Sequence, residues 1–286
     1  MTTDTDARRA GLSAERLAIR DGNPPPISVA GWFRLTVRLF AASCLLLVCV
    51  PLHYAFRLFW GRSPVPRYFL KYSARIMGAR VERIGQPKER RVLMLANHVN
   101  WLDILAIAGT SGTAFVAKSQ VRDTFLVGWL ASLNRTIFVA RENRMDVSSQ
   151  IDAVRGALTD DMSLTVFPEG TTGGGQSLLP FKTAMLKVLE PPPPGVMVQP
   201  VIVDYGALAE WIGWTGDETG AENAKRVLAR RGTFPLRIHF LEPFDPSEFA
   251  GRKAIGEEAR RRMEPVLPAN LQRAKSSGDR VTGPHR

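Results

Sequence analysis

From residue 92 onward, short β-branched runs alternate with runs at helical spacing, and that alternation narrows the possible folds more than any other property of the chain. The pattern predicts strands at residues 92–96, 114–117, 136–140, 164–167, 196–203 and 236–241, and helices at 101–108, 124–133, 145–158 and 181–189. Strands that alternate with helices pair in parallel, because each helix returns the chain to the same edge of the sheet. The expected fold is therefore α/β, a mostly parallel sheet flanked by helices, with the loops at the strand ends carrying any site.

Ahead of this region lies the most apolar stretch, residues 39–56, about 18 residues long and at the lower edge of what crosses a bilayer. Arg34 and Arg38 precede it, and Arg57, Arg62, Arg67 and Lys71 follow, so both flanks are basic, whereas a simple crossing places its positive flank on one side. Pro51 offers a bend, and Pro64 and Pro66 mark a break before a second amphipathic stretch with Tyr68, Phe69, Leu70 and Met77. A bent or shallowly inserted membrane-associated helical segment is favoured over a single span, with a buried core helix as the third reading. Cys44 and Cys49 share this apolar run without a C-x-x-C pattern and read as packing residues in a reducing setting.

The expected organisation is a flexible arm at 1–30, closed by Pro24, Pro25 and Pro26; a membrane-associated helical segment at 31–80; an α/β domain at 81–250; and a basic C-terminal helix and tail at 251–286. The first segment lacks the layout of a signal peptide. Thirty-eight Lys and Arg against 27 Asp and Glu give a net charge of +11, which points to an anionic partner. Without zinc-finger spacing or an aromatic-studded RNA motif, nucleic acid is not expected; anionic membrane lipids are. Arg260, Arg261 and Arg262 read first as a solvated helix face.

The chemistry concentrates where the strand at 92–96 gives way to a helix, in Asn97-His98-Val-Asn-Trp-Leu-Asp103. Within one regular helix, residues five apart point about 140° away from each other, so His98 and Asp103 meet only if His98 stays in the loop and Asp103 enters the first turn. Asn100 as N-cap makes Asp103 the third helical residue, where orphan amides and the macrodipole both favour a carboxylate. Asp103 then orients one ring nitrogen of His98 and leaves the other free. Backbone amides near Asn100 are candidate oxyanion donors.

Three further blocks follow in order: Thr136-Ile-Phe-Val-Ala-Arg141, Phe167-Pro-Glu169-Gly170-Thr171, and Val198-Gln-Pro200-Val-Ile. Each alone recurs by chance. Taken in this order, the four resemble the glycerolipid acyltransferase family typified by bacterial lysophosphatidate acyltransferases, over residues 93–205. The resemblance implies that His98 and Asp103 are catalytic, that Arg141 contacts phosphate, and that Glu169 and Gly170 bind the acceptor. The implied reaction moves a fatty acyl group from acyl-CoA or acyl carrier protein to a lysolipid hydroxyl, foremost 1-acyl-sn-glycerol-3-phosphate, giving phosphatidate, at the cytoplasmic face of the inner membrane. No metal or cofactor is expected. An imidazole with a pKa near ~6.5 suits such a base.

Thr172 is a departure, since many lysophosphatidate enzymes carry Arg after the Phe-Pro-Glu-Gly-Thr block. With that cation missing, a lyso-ornithine lipid or another lysophospholipid stands as the alternative acceptor. Bland readings remain: Arg141 pairing with Glu142, Glu169 capping its turn, Lys118 as an exposed lysine, Trp211 and Trp214 as packing, and Gly173-Gly174-Gly175 as a flexible loop. A hydrolase is the more distant enzymatic alternative, although no Gly-x-Ser-x-Gly elbow is present. The other is a non-enzymatic lipid-binding protein.

Overall fold

The computed structural model describes residues 18–19, 26–139 and 147–267. Among these residues, seven strands form one sheet in the order β1-β7-β6-β2-β5-β3-β4. They are β1 (Ala79–Ile84), β2 (Val92–Ala96), β3 (Ala114–Lys118), β4 (Ile137–Val139), β5 (Ser163–Val166), β6 (Met197–Asp204) and β7 (Phe234–Phe240). Every pairing is parallel except β6 with β7. The central strands β2 and β5 are buried on both faces, which is why they read as continuous apolar runs.

Side chains alternate across β2. Val92, Met94 and Ala96 join a core with Leu102, Ala106 and Ile107 of α3 (Leu102–Ser111), while Leu93 and Leu95 face Val154 and Leu158 of α6 (Val147–Thr159). Ile255 and Ala259 of α9 (Gly251–Met263) complete that second face. The sheet is thus covered on both sides.

The apolar segment forms α1 (Val29–Trp60), an uninterrupted helix of 32 residues, about 48 Å long, that continues through Pro51 where a bend was expected. Ser28 caps its start through Gly31 N. Its basic N-terminal flank is engaged with protein: Arg34 donates to the carbonyl of Ala229 (2.8 Å), and Arg38 to those of Leu228 (2.7 Å) and Gly232 (2.9 Å). These guanidiniums satisfy carbonyls at and just beyond the C-terminal end of α8 (Gly220–Ala229). Further along, Leu46, Cys49, Val50 and His53 face α2 (Val65–Ile76) and α5 (Phe125–Leu133) across a small, half-open apolar cavity. Cys49 lines that cavity. Cys44, expected to pack, is exposed.

Other differences have simple causes. The edge strand β1 carries Arg80, Glu82 and Arg83 and is half exposed, so its period-2 pattern is faint. Residues 181–189 were expected as a helix and instead form 3₁₀ turns at Thr183–Leu189. A short α4 (Ser119–Asp123) precedes α5, and the stretch around Trp211, where no element was expected, holds α7 (Ala209–Ile212) and α8. Arg260 donates to the carbonyls of Leu179 and Leu178, and Arg261 and Arg262 both pair with Glu258. Much of that basic helix face therefore grips its own protein.

Candidate active site

Parallel strands β2, β5 and β3 all end at one edge of the sheet, and the residues that follow them meet there. After β2, the side chain of Asn97 replaces the missing ladder: its Oδ1 accepts from Val203 N (2.7 Å) and its Nδ2 donates to the Val203 carbonyl (3.1 Å). The backbone is thereby released to turn outward at His98. Trp101 already has helical dihedrals, and Asn100 caps the start of α3 by accepting from Leu102 N at 3.1 Å. Its Nδ2 donates to the carbonyl of Ile212 and to Asn223 Oδ1, which fixes the turn from behind.

The pair meets as the spacing requires. His98 Nδ1 lies 2.8 Å from Asp103 Oδ2. The same oxygen accepts from Val99 N at 2.6 Å and Asn100 N at 2.9 Å, and the other oxygen, Oδ1, accepts from Tyr205 Oη at 2.6 Å. Asp103 is completely buried. A carboxylate can be held there only because donors surround it, which replaces the hydration it has lost. Burial, with Asp103 alongside, pushes the Tyr205 phenol well above its ordinary range, so its hydroxyl remains a donor. This geometry corrects one expectation. The amides of Val99 and Asn100 are committed to Asp103 and are not the oxyanion donors.

The ring of His98 stacks on Phe167 at 3.9 Å between centroids and 13° between planes, and Phe167 stacks in turn on Phe115. With Nδ1 fixed and the ring face covered, 17% of the side chain stays accessible, and Nε2 has no partner among the described residues. The arrangement can take a proton from a hydroxyl placed at Nε2 and store the resulting positive charge against Asp103.

After β5, the Phe-Pro-Glu-Gly turn closes with Gly170 at φ 70°, a left-handed conformation that favours glycine, and Gly170 N bonds the Phe167 carbonyl at 3.0 Å. Glu169 is only 2% exposed, and its Oε1 accepts from Leu179 N at 3.3 Å. Burial raises its pKa to about 7, with the nearby Asp103 charge adding to this and the amides of Leu179 and His98 opposing it. Its carboxyl is thus held inside the protein beside the catalytic pair. Arg141 lies outside the described residues. Lys118 is exposed at the end of β3.

Residues 173–175, expected as a flexible loop, are instead packed. Gly173 N donates to the His98 carbonyl at 2.7 Å, and a side chain on Gly175 would press on Ala209 and Val99. Thr172 donates to the Trp214 carbonyl at 2.5 Å, and Trp214 N donates to the Val99 carbonyl at 2.9 Å. Trp211 packs in the core beneath Arg226 and Arg230. Both tryptophans therefore serve the scaffold. Tyr205 was missed from the sequence, because nothing local shows that the strand before it pairs with the strand before His98.

The family profile described as Acyltransferase matches residues 79–204, a span that includes His98, Asp103, Glu169 and Gly170 and ends just before Tyr205. A lyso-ornithine lipid O-acyltransferase of Brucella abortus is 31% identical over 82% of this chain and 96% of its own length. A 1-acyl-sn-glycerol-3-phosphate acyltransferase of Neisseria meningitidis is 27% identical over 67% of this chain and 75% of that protein. In fold, the chain is similar to the crystal structure of the 1-acyl-sn-glycerophosphate acyltransferase of Thermotoga maritima, with a TM-score of 0.57 at 22% identity over 87% of this chain and 94% of that one. The chain belongs to the glycerolipid acyltransferase family, and it is an O-acyltransferase.

Proposed function

We propose that the protein transfers a fatty acyl group from an acyl thioester, carried on coenzyme A or acyl carrier protein, to the free hydroxyl of a lysolipid. The observation that carries the mechanism is His98, tied at Nδ1 to a four-donor carboxylate and open at Nε2. Nε2 takes the hydroxyl proton as the oxygen attacks the thioester carbonyl. Collapse of the tetrahedral intermediate breaks the C–S bond, and the imidazolium returns the proton to the departing thiolate. A thioester is already activated, so no acyl-enzyme is needed. Asp103 fixes the ring tautomer and stabilises the imidazolium, while Glu169 and Gly170 shape the floor on which the acceptor rests.

A lyso-ornithine lipid is the favoured acceptor. In place of a cation, position 172 has a threonine hydroxyl spent on the Trp214 carbonyl, which suits a head group without phosphate. Four relatives named lyso-ornithine lipid O-acyltransferase, each 30–31% identical, support the same acceptor. Arg141, at the end of the second block, favours 1-acyl-sn-glycerol-3-phosphate as a second reading.

The apolar α1 points to membrane association. We place it in the plane of the cytoplasmic leaflet, because its contacts with the domain run from Gly31 and Leu35 to His53, and a crossing helix would have to leave that surface. The test is incubation of purified protein with a labelled acyl thioester and a panel of lysolipids in mixed micelles. Acylated lyso-ornithine lipid is the expected product. Acylation of 1-acyl-sn-glycerol-3-phosphate alone would replace the acceptor, and free fatty acid without acylated lipid would replace the reaction.

A further inference from the structure

Far along the chain from α1, α5 carries large apolar side chains that none of the described residues covers. Phe125 is 91% exposed, Leu126 and Val127 are each 51% exposed, and Trp129 is 36% exposed. Four large apolar side chains within five residues form a contiguous patch rather than scattered surface hydrophobics. The patch is held rigidly. Gly128 packs so closely on the backbone of Arg122 that an added Cβ would stand 2.3 Å from its carbonyl oxygen, which locks α5 against α4.

Its position gives it meaning. Leu130 and Leu133 of the same helix, four and seven residues on from Leu126, line the apolar cavity together with Leu46, Cys49, Val50 and His53 of α1. Next in sequence to those α1 residues, Leu47 and Val48 are exposed, so both helices that share the cavity also carry bare apolar side chains. Between residues 118 and 135 the exposed charges are Lys118, Arg122 and Arg135 against Asp123, a net positive collar around the patch. Moreover, α4 and α5 follow β3, whose C-terminal end lies at the sheet edge where β2 delivers His98 and β5 delivers Phe167 and Glu169. The chain that leaves the active-site edge at β3 thus carries both the exposed apolar residues and the exposed cations.

We propose that α5 is a second membrane-docking element, in which Phe125, Leu126, Val127 and Trp129 enter the boundary between head groups and acyl chains of an anionic bilayer while Lys118, Arg122 and Arg135 meet its phosphates. A single helix lying in the interface leaves the domain free to roll about the helix axis. A second contact beside the site removes that freedom and holds Nε2 of His98 toward the lipid from which the acceptor comes. The inference rests on the reading of α1 as membrane-associated and adds an element to it.

The test compares the full chain with the triple variant Phe125→Ser, Leu126→Ser, Val127→Ser, whose positions are exposed and whose replacement leaves the core intact. Partition is measured by flotation on vesicles of phosphatidylglycerol and phosphatidylethanolamine. Turnover is measured with lysolipid embedded in those vesicles and with a dispersed short-chain lysolipid. The variant is expected to bind vesicles at least tenfold more weakly and to lose turnover on embedded acceptor, while retaining turnover on the dispersed one. Unchanged vesicle affinity overturns the proposal, as does an equal loss of turnover on both acceptors. If the chain self-associates without lipid, and the variant abolishes that while binding vesicles normally, the face belongs to a second copy and the proposal also falls. A wild-type chain that fails to float at all removes the reading of α1 itself. Wild type and variant that float alike remove only the role of α5.

Discussion

The two ends of the proposed reaction are built on opposite physical plans. Around Asp103, every polar atom that lost water has gained a partner inside the protein: two amides, a phenol and an imidazole converge on one carboxylate. Along α1 and α5 the reverse holds. Leu47, Val48, Leu58, Phe59, Trp60 and Phe125 stand exposed, with none of the described residues folded over them. A buried polar cluster is specified from within, and removal of one member strands the others. An unpartnered apolar face is specified from outside, so mutation there should leave the fold alone and change what the protein sits on.

The sharpest way to break this contrast is at the base. His98→Ala is expected to lower kcat at least about 10³-fold while leaving the thermal transition within a few degrees, because the ring is partly accessible and its loss strands only one contact of Asp103. Turnover near the wild-type level would end the proposed mechanism. Asp103→Asn should produce a comparable loss of activity together with a loss of stability on the order of 3 kcal/mol. An amide group cannot accept at both ends, so it leaves buried donors at Val99, Asn100 or Tyr205 unpaired. Chemical denaturation of the two variants side by side separates the chemical loss from the structural one.

Tyr205 tests whether the cluster acts as a unit. Tyr205→Phe removes one donor to Asp103 Oδ1 and nothing else, since the ring remains in its place against Phe234. With less hydrogen bonding to hold the carboxylate in place, the imidazole is oriented less well. A fall in kcat of roughly tenfold is expected, with KM for the acyl donor unchanged. A rise in KM with kcat intact would mean that the hydroxyl serves binding rather than the position of the base.

The same contrast sets what could be read in advance. The His98 and Asp103 geometry was legible because it is local: a strand, a capped helix and five residues of spacing leave one arrangement. The sheet was legible in β2, β5 and β6, whose burial on both faces writes itself as apolar runs. Tyr205 was not legible, since its contact with Asp103 spans 102 residues and depends on β6 lying beside β2. The edge strand β1 hid among its charges. The packing of Gly173 and Gly175 against His98 and Val99 was hidden for another reason, because glycine composition reports backbone freedom and not the close approach that freedom permits. The role of Arg34 and Arg38 was equally distant, as their carbonyl partners lie in and just beyond α8. Basic residues beside an apolar run read as lipid contacts until those partners are located.

Glu169 sharpens the comparison at a smaller scale, because it is a buried acid whose partners only partly offset its burial. Its carboxyl titrates at about 7 in the folded chain, above its ordinary 4.5. The folded state therefore holds a proton that the unfolded chain has already released. Stability is greatest below about pH 4.5 as far as this group is concerned, declines as pH rises toward 7, and changes no further above that. Glu169→Gln keeps an oxygen for Leu179 N and abolishes the titration. Its transition temperature should vary less than that of the wild type between pH 5 and 7 and should exceed it at pH 8, by up to about 3 kcal/mol of stability. Parallel pH profiles of the two proteins would show that the acid is better compensated than its surroundings suggest.

The smallest effect is expected on the apolar side. Leu47→Gln with Val48→Gln retains helix propensity, buries no polar atom and exposes no core, so stability in detergent should shift by no more than about 0.5 kcal/mol. Vesicle flotation should weaken in the same variant, because the lost apolar area was in contact with lipid rather than protein. The two measurements must move apart: a polar pair on a lipid-facing helix alters partition and spares the fold, whereas a polar pair in a core alters both. A large drop in detergent stability would place Leu47 and Val48 against protein, and α1 would then be a core helix whose cover lies elsewhere in the chain or in a second copy of it.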